Sequence, residues 1–333
     1  MDFQTETDEN SSFILHPSSF DEGKRLDAFL SEKVEGWSRS RLQKLIEDGD
    51  CLVNQKPAKS SYKLRASDEI EVELTETIAD NFAPENIPLD IVYEDEFLAV
   101  INKKAGMVVH PGAGVLNGTL ANAIAFHFKF QIPTSKLEDE KIQNPKSKIQ
   151  NRIGIVHRLD KNTSGLIVVA KSDEIHENLS GQFRNREVFK SYIALVHGEI
   201  EEKAGKIDAA IAREKHNRTK MAVRTHGRYA LSHWKVKQRF EKFTLLAVEI
   251  KTGRTHQIRV HLAHINHPVV GDETYNAGRD KTVHDLNIRQ AIAELNRFFL
   301  HAEKLSFTHP VNKEKLNFVA PLPDELSSFL ELL

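Results

Sequence analysis

The stretch HRLDKNTSGLIVVAKS, residues 157–172, sets one carboxylate, Asp160, among the cations His157, Arg158 and Lys161, just ahead of an apolar strand. Two other stretches hold polar residues where a strand ends or turns: KSYIALVHG and KTGRTHQIRVHLAHINHPVVGD. In the second, Gly253 closes a strand and Thr255 is placed to cap a helix, which sends Arg254 and Arg259 out near one end. A guanidinium facing an acid keeps that acid ionised and fixes its rotamer through a two-pronged contact. The plain alternative for Asp160 is a turn aspartate bonding its own backbone. A glycosidase would want a second carboxylate as partner, and none of these stretches supplies one. One acid among arginines and aromatics fits a nucleophile or base acting on an anionic polymer.

Other chemistries find less support. His261, His264 and His267 are spaced by threes, but no cysteine or HExxH pattern accompanies them, so capping and packing are favoured over metal binding. The GAG at 112–114 lacks the lysine and threonine of a phosphate loop, and no GxGxxG follows a strand. No cofactor and no metal are therefore expected. A single cysteine, Cys51, excludes a disulfide framework and fits a reducing compartment. No apolar run approaches a membrane span, which leads to the expectation of a cytoplasmic monomer without membrane partners.

The formal net charge of 333 residues is only −2, so nucleic-acid affinity must come from local basic patches. Arg39, Arg41, Lys44, Lys56, Lys59, Lys63 and Arg65 make one such patch. Arg41 and Lys44 lie opposite the leucine stripe of a helix, as phosphate contacts or as a solvated face. The stretch AREKHNRTKMAVRTHGR, read as a loop, carries Arg213, Lys215, Arg218, Lys220, Arg224 and Arg228 against one glutamate. So many like charges repel unless an anion is near, and a nucleic-acid backbone is the favoured one.

The elements that must position these residues fall into two parts. Residues 1–20 read as a disordered leader and 23–77 as a small unit. In that unit Leu26, Phe29 and Leu30 mark one helix, while Ser38 caps and Gly49 ends a second with Leu42, Leu45 and Ile46 buried. CLVN and EIEVEL read as strands, the latter with Ile70, Val72 and Leu74 on one face. A polar, proline-bearing linker covers 78–90. From 91 to 325 strands alternate with turns and three helical patterns, giving an α+β fold with a mixed, mainly antiparallel sheet. The polar segment at 134–151 reads as a flexible insertion.

The stretches INKKAGMVVHPGAG, GTLANAIAFH, HRLDKNTSGLIVVAKS, FKSYIALVHG, TGRTHQIRVHLAHINHPVVGDETY and LHAEKLSFTHP with FVAPLP follow one another in a recognisable order. Together they resemble the RluA/RluD-type pseudouridine synthases, which isomerise uridines in ribosomal or transfer RNA. The unit at 23–77 resembles the small RNA-binding domain named after ribosomal protein S-four. The resemblance implies that Asp160 is the catalytic aspartate, that Tyr192 stacks on the target uracil, and that Arg259 pairs with Asp160. It also implies that Arg158 holds the flipped nucleotide or the space it leaves, with His157, Arg254, Arg218, Lys220, Arg41 and Lys44 as further RNA contacts. Large-subunit ribosomal RNA is the favoured substrate. A synthase for transfer RNA and a catalytically silent RNA-binding protein are the alternatives. Two departures are mild: Lys104 stands where the family commonly has proline, and the insertion is longer than usual.

Overall fold

The computed structural model describes residues 12–34, 37, 39–47, 50–54, 56–73, 83–111, 115–128, 154–214, 220–225 and 227–333. They divide into two units, built mainly on the elements before and after residue 80. The first contains β1 (Ser12–Leu15), α1 (Leu26–Lys33), α2 (Arg39–Glu47), β2 (Cys51–Val53), β3 (Lys56–Pro57) and β4 (Ile70–Glu73). Its strands form an antiparallel sheet in the order β1-β4-β2-β3. Leu26, Phe29 and Leu30 of α1 and Leu42, Leu45 and Ile46 of α2 recur at three- and four-residue intervals and meet Val53, Ile70 and Val72 in one core. Arg39 belongs to the basic patch, yet with Arg25 it binds the buried Asp27 carboxylate, which Gln43 also contacts.

One boundary differs from the sequence reading. β1 lies inside the stretch taken as a disordered leader, yet it pairs with β4 from Ser12↔Glu73 to Leu15↔Ile70. Four residues, SFIL, are too short an apolar run to stand out from polar flanks, but an existing sheet edge can recruit them. Ser38, Gly49 and Leu74 lie outside the described residues, as do the side chains of Arg41 and Lys44.

The second unit opens with the hairpin β5 (Ile91–Glu94) and β6 (Leu98–Lys103), then α3 (Leu120–His127) and β7 (Gly154–Ile155). Next come β8 (Ser164–Ala170), α4 (Asp173–Arg184), β9 (Phe189–His197), β10 (Ala204–Asp208), β11 (Ile211–Arg213) and β12 (Met221–Val223). The rest is β13 (Leu231–Phe240), β14 (Phe243–Ile250), α5 (Gln257–His264), α6 (Leu286–Glu294), β15 (Leu300–Thr308), β16 (Lys315–Val319) and α7 (Asp324–Glu331). A ten-stranded sheet runs β10-β13-β14-β9-β15-β8-β6-β5, with β16 on β15 and β7 on β8. It is mixed and mainly antiparallel, as the strand and turn pattern predicts. Among the described residues its parallel pairing is β8 with β15.

β8 is buried at every position, the consequence of an uninterrupted apolar run covered on both faces. α4 packs Ile175 and Leu179 against Leu166, Val168 and Phe307. Gly165 stands where β8 meets β15; its φ is +113°, and a Cβ there would lie 2.3 Å from the Ala302 carbonyl oxygen. The opening motif therefore needs glycine between its turn and its strand.

Part of the presumed linker belongs to this unit. Asn122 donates to the Ala83 carbonyl at 2.8 Å, the Glu85 amide donates to the Asn122 carbonyl, and the Gly118 amide donates to the Glu85 carboxylate. Part of the basic stretch at 212–228, read as a loop, instead lies in the paired strands β11 and β12, with Arg213 paired to Met221 and Ile211 to Val223. The insertion at 134–151 lies outside the described residues. Among the described residues, no helix is long and apolar enough to cross a membrane.

Candidate active site

Asp160 occupies a turn before β8 that its backbone carbonyl closes by accepting the Thr163 amide at 3.0 Å. That leaves the carboxylate for another partner. Nη1 of Arg259, on the first turn of α5, donates to Oδ2 of Asp160 at 3.1 Å. The same guanidinium sends Nε and Nη2 to the two oxygens of Asp272 at 2.7 and 2.8 Å. Arg259 thus grips one acid with two prongs and reaches the other with its third nitrogen. The two-pronged contact falls on Asp272, which the sequence reading did not single out, and not on Asp160.

Packing removes the remaining freedom of Arg259. The guanidinium carbon lies 4.2 Å from the Phe298 ring centre and 5.0 Å from that of Tyr275. Asp272 has no exposed side-chain surface, and its Oδ1 also accepts the Thr274 amide at 3.1 Å. Gly271, just before it, has φ +78°, and a Cβ there would lie 2.4 Å from the Arg297 carbonyl oxygen. The signal for this arrangement was present in HPVVGDETY, where a glycine and an acid end an apolar run.

Burial alone would raise the Asp160 pKa, but the charge of His256 when it is protonated, the charges of Arg259 and Arg158, and the Arg259 hydrogen bond pull it below the ordinary value. Burial keeps His256 itself neutral at pH 7 by lowering its pKa, so the standing positive charges are the two arginines. Tyr192 lies on β9 opposite a bulge in β15, between His301 and Lys304, and is 6% exposed. Burial and the Asp160 charge push its phenol pKa up, so the hydroxyl keeps its proton.

Lys103, at the end of β6, is another buried charge that the sequence reading passed over. Its Nζ donates to the carbonyls of Lys104, Met107 and Lys161, tying the 103–107 turn to the Asp160 turn. Burial pushes its pKa down to about 7, although Asp160 pulls the other way.

Several expected contacts take different positions. The N-cap of α5 is His256, in left-handed backbone with φ 54°, and not Thr255. Gln257 substitutes for a capping side chain: its Oε1 accepts the Arg254 amide and the Thr252 hydroxyl, and its Nε2 donates to Leu231 and Ser232. Arg254 donates from Nε to the Tyr229 carbonyl. His157 is a correction to its reading as an RNA contact. Its Nε2 accepts the Val168 amide, its ring stacks on Phe183, and burial pushes its pKa down to about 3. A neutral imidazole so committed holds the turn against β8 and brings no charge to a phosphate.

Arg158 is exposed at the rim of the turn, and Lys220 flanks the β11–β12 hairpin. Arg218 lies outside the described residues. Arg224 is paired with Glu214, its Nη2 donating to both carboxylate oxygens. His261 bonds Ser232 and the Ala209 carbonyl, and His267 bonds the His197 carbonyl. Among the described residues, no group of histidines, cysteines and acids is placed to hold a metal ion.

A model of the RNA pseudouridylate synthase family matches residues 97–264, and one of the S4 domain matches residues 24–70. The chain belongs to the RNA pseudouridylate synthase family. It is 40% identical over 310 residues to the RNA pseudouridine synthase YlyB of Bacillus subtilis, covering 93% of this chain and 94% of that relative. The ribosomal large subunit pseudouridine synthase D of Xanthomonas campestris is 40% identical over 93% of this chain and 89% of its own length. Human RNA pseudouridylate synthase domain containing 1 shares the fold, with a TM-score of 0.54 at 24% identity over 74% of this chain and 89% of that one. Pseudouridine synthases are isomerases, and the stretch matched to the family holds Asp160, Tyr192 and Arg259. Asp272 and Tyr275 lie beyond it.

Proposed function

We propose that this synthase converts uridines of large-subunit ribosomal RNA to pseudouridine, with the Asp160 carboxylate at the reacting centre. The observation that carries the reading is the ionised Asp160, left free by its own turn and held by Arg259, which Asp272 fixes in place. Pseudouridine formation breaks the bond from ribose carbon 1′ to uracil nitrogen 1, turns the base and joins carbon 5 to the same sugar carbon. An ionised carboxylate attacks that carbon or stabilises its developing positive charge, or takes a sugar proton to give a glycal. The target base must leave its stack, and the Tyr192 ring offers a surface that offsets part of that cost.

Ribosomal RNA is favoured over transfer RNA because relatives matched over 93% of this chain, such as the Xanthomonas and Neisseria meningitidis proteins, are named for the large ribosomal subunit. The S4 domain supplies RNA affinity, and a ribosomal substrate places the enzyme in the cytoplasm, acting as a monomer. The test maps pseudouridines in ribosomal and transfer RNA from cells lacking the gene, carrying it, or carrying Asp160→Asn. Sites in large-subunit RNA that return with the wild type and not with the variant are expected. Return with Asp160→Asn would overturn the catalytic assignment, and changes confined to transfer RNA would overturn the substrate.

A further inference from the structure

His256 is a second polar group near Asp160, close enough for each to act on the other's charge, and the reading above leaves it without a task. Its backbone is left-handed, φ 54° and ψ 19°, in a residue that is neither glycine nor asparagine. Conformations of this kind persist where the surroundings over-determine them and cluster at functional positions. The ring is held from one side: Nδ1 lies 2.8 Å from the Tyr275 hydroxyl, and the two rings meet edge to face. The Tyr275 oxygen in turn accepts the Met221 amide of β12 at 2.9 Å.

That chain of contacts favours one tautomer. The Met221 amide has only a hydrogen to give, so the tyrosine oxygen is its acceptor. With one lone pair so used, the phenol is best placed to donate its hydrogen to Nδ1, which puts the proton of the neutral imidazole on Nε2. Burial keeps the imidazole neutral and pushes the Tyr275 phenol up to about 12, so neither end of the pair ionises near pH 7. Among the described residues, the Nε2 edge has no hydrogen-bond partner. Asp160, Arg259, Asp272 and Arg158 all lie close enough to His256 to act on its charge. Among the described residues, a half-buried N–H donor is therefore left without an acceptor, within range of the Asp160 charge.

The reaction supplies a receiver. When the bond from carbon 1′ to nitrogen 1 breaks, its electron pair stays on the base and spreads over the two uracil carbonyl oxygens. Asp160 compensates the sugar carbon. Carbon 5 then bonds to carbon 1′ and gives its proton to water, while nitrogen 1 takes one up, so the product is an isomer of the substrate and no oxidant or reductant is needed. We infer that His256 is a catalytic residue that donates Nε2–H to a carbonyl oxygen of the departing uracil, a role that rests on Asp160 acting at the sugar. It gives a hydrogen bond and transfers no proton. Tyr275 and the Met221 amide are positioning groups that keep the hydrogen on the correct nitrogen. A preorganised donor aimed at developing charge needs no rearrangement during the reaction.

The experiment compares single-turnover rate and RNA affinity for wild type, Asp160→Asn, His256→Asn and His256→Gln. Asparagine tolerates the left-handed backbone but carries its amide near the Nδ1 position, so the outward donor is lost. Glutamine reaches roughly to Nε2 with an N–H donor. His256→Asn is expected to slow the single turnover about 100-fold, at the lower end for loss of one such donor, with affinity unchanged. His256→Gln should recover about one-tenth of the wild-type rate. RNA carrying 5-fluorouridine at the target provides the second readout, as substrate consumed. Fluorine makes the base a weaker, better-leaving anion, so the His256→Asn defect should shrink at least about tenfold. An equal defect on both RNAs would show that the donor serves the sugar or a phosphate, and would overturn the assignment. So would a defect in affinity alone, or an unimpaired His256→Asn. If Asp160→Asn remained active, the catalytic reading itself would fall, a result distinct from any of these.

Discussion

Replacing Asp272 by asparagine tests whether Arg259 is held from behind. Asp272 accepts two hydrogen bonds from Arg259, at 2.7 and 2.8 Å, with its side chain fully buried. Asparagine keeps one acceptor oxygen but sets an NH₂ group against a guanidinium N–H, and the charge is gone. Removing one partner of a buried ion pair costs about 3–5 kcal/mol, and the surviving bond argues for about 3. In a folded unit of roughly 250 residues each kcal/mol moves the midpoint of thermal unfolding by about 2–4 °C, so a fall of about 6–12 °C is expected. The rate should fall too. Arg259, no longer anchored, swings toward its remaining acid, and a displacement near 1 Å in a reacting constellation costs on the order of 100-fold. Calorimetry beside single-turnover kinetics on the same preparation measures both. A midpoint within about 2 °C of wild type, or a destabilised variant with the normal rate, would refute the idea that Asp272 positions Arg259.

Three further outcomes follow from the geometry. Gly165→Ala must place a Cβ 2.3 Å from the Ala302 carbonyl in a left-handed backbone; it should cost about 3 kcal/mol or more and lower the unfolding midpoint, and a stable, active Gly165→Ala would contradict the close β8–β15 approach. Tyr192→Phe should bind RNA normally and turn over about tenfold more slowly. Because burial and Asp160 keep the phenol protonated, the alkaline side of the rate profile should not move, and a shift there would show that Tyr192 titrates. Lys103 has its folded pKa depressed to about 7 from 10.5. The unfolded chain therefore binds the extra proton between those values, and stability rises with pH across that window. Unfolding midpoints at several pH values should show this rise in wild type and lose it in Lys103→Met.

The elements legible in the sequence were those whose residues announce burial. GLIVVA, SYIALV and TLLAVEI read as strands because apolar and β-branched residues run together, and they became β8, β9 and β14. β13, LSHWKVKQRF, escaped notice because charged residues occupy much of its length and the register shifts between Val236 and Gln238. The site divided in a similar way. Asp160 and Arg259 stood out by motif, whereas Lys103 and Asp272 were not singled out. A buried charge differs from a solvated one only by partners that folding brings to it. For Lys103 those include the Lys161 carbonyl, 58 residues away, and for Asp272 the Arg259 fork on another element.

The parallel contact of β8 with β15 also carries a cost in time. Ser164 and His301, which hydrogen-bond at that junction, are 137 residues apart in the chain. Pairings of such separation close slowly, because a long loop must lose its freedom before any contact rewards it. On a ribosome the strands from β5 to β14 emerge first, and the segment that joins the two halves of the sheet follows them. Until β15 arrives, the edge of β8 beside the Asp160 turn stays unpaired, and Phe298 is not yet stacked on Arg259. A nascent chain is therefore expected to be inactive and prone to aggregation until β15 has emerged, so it cannot modify RNA before that point.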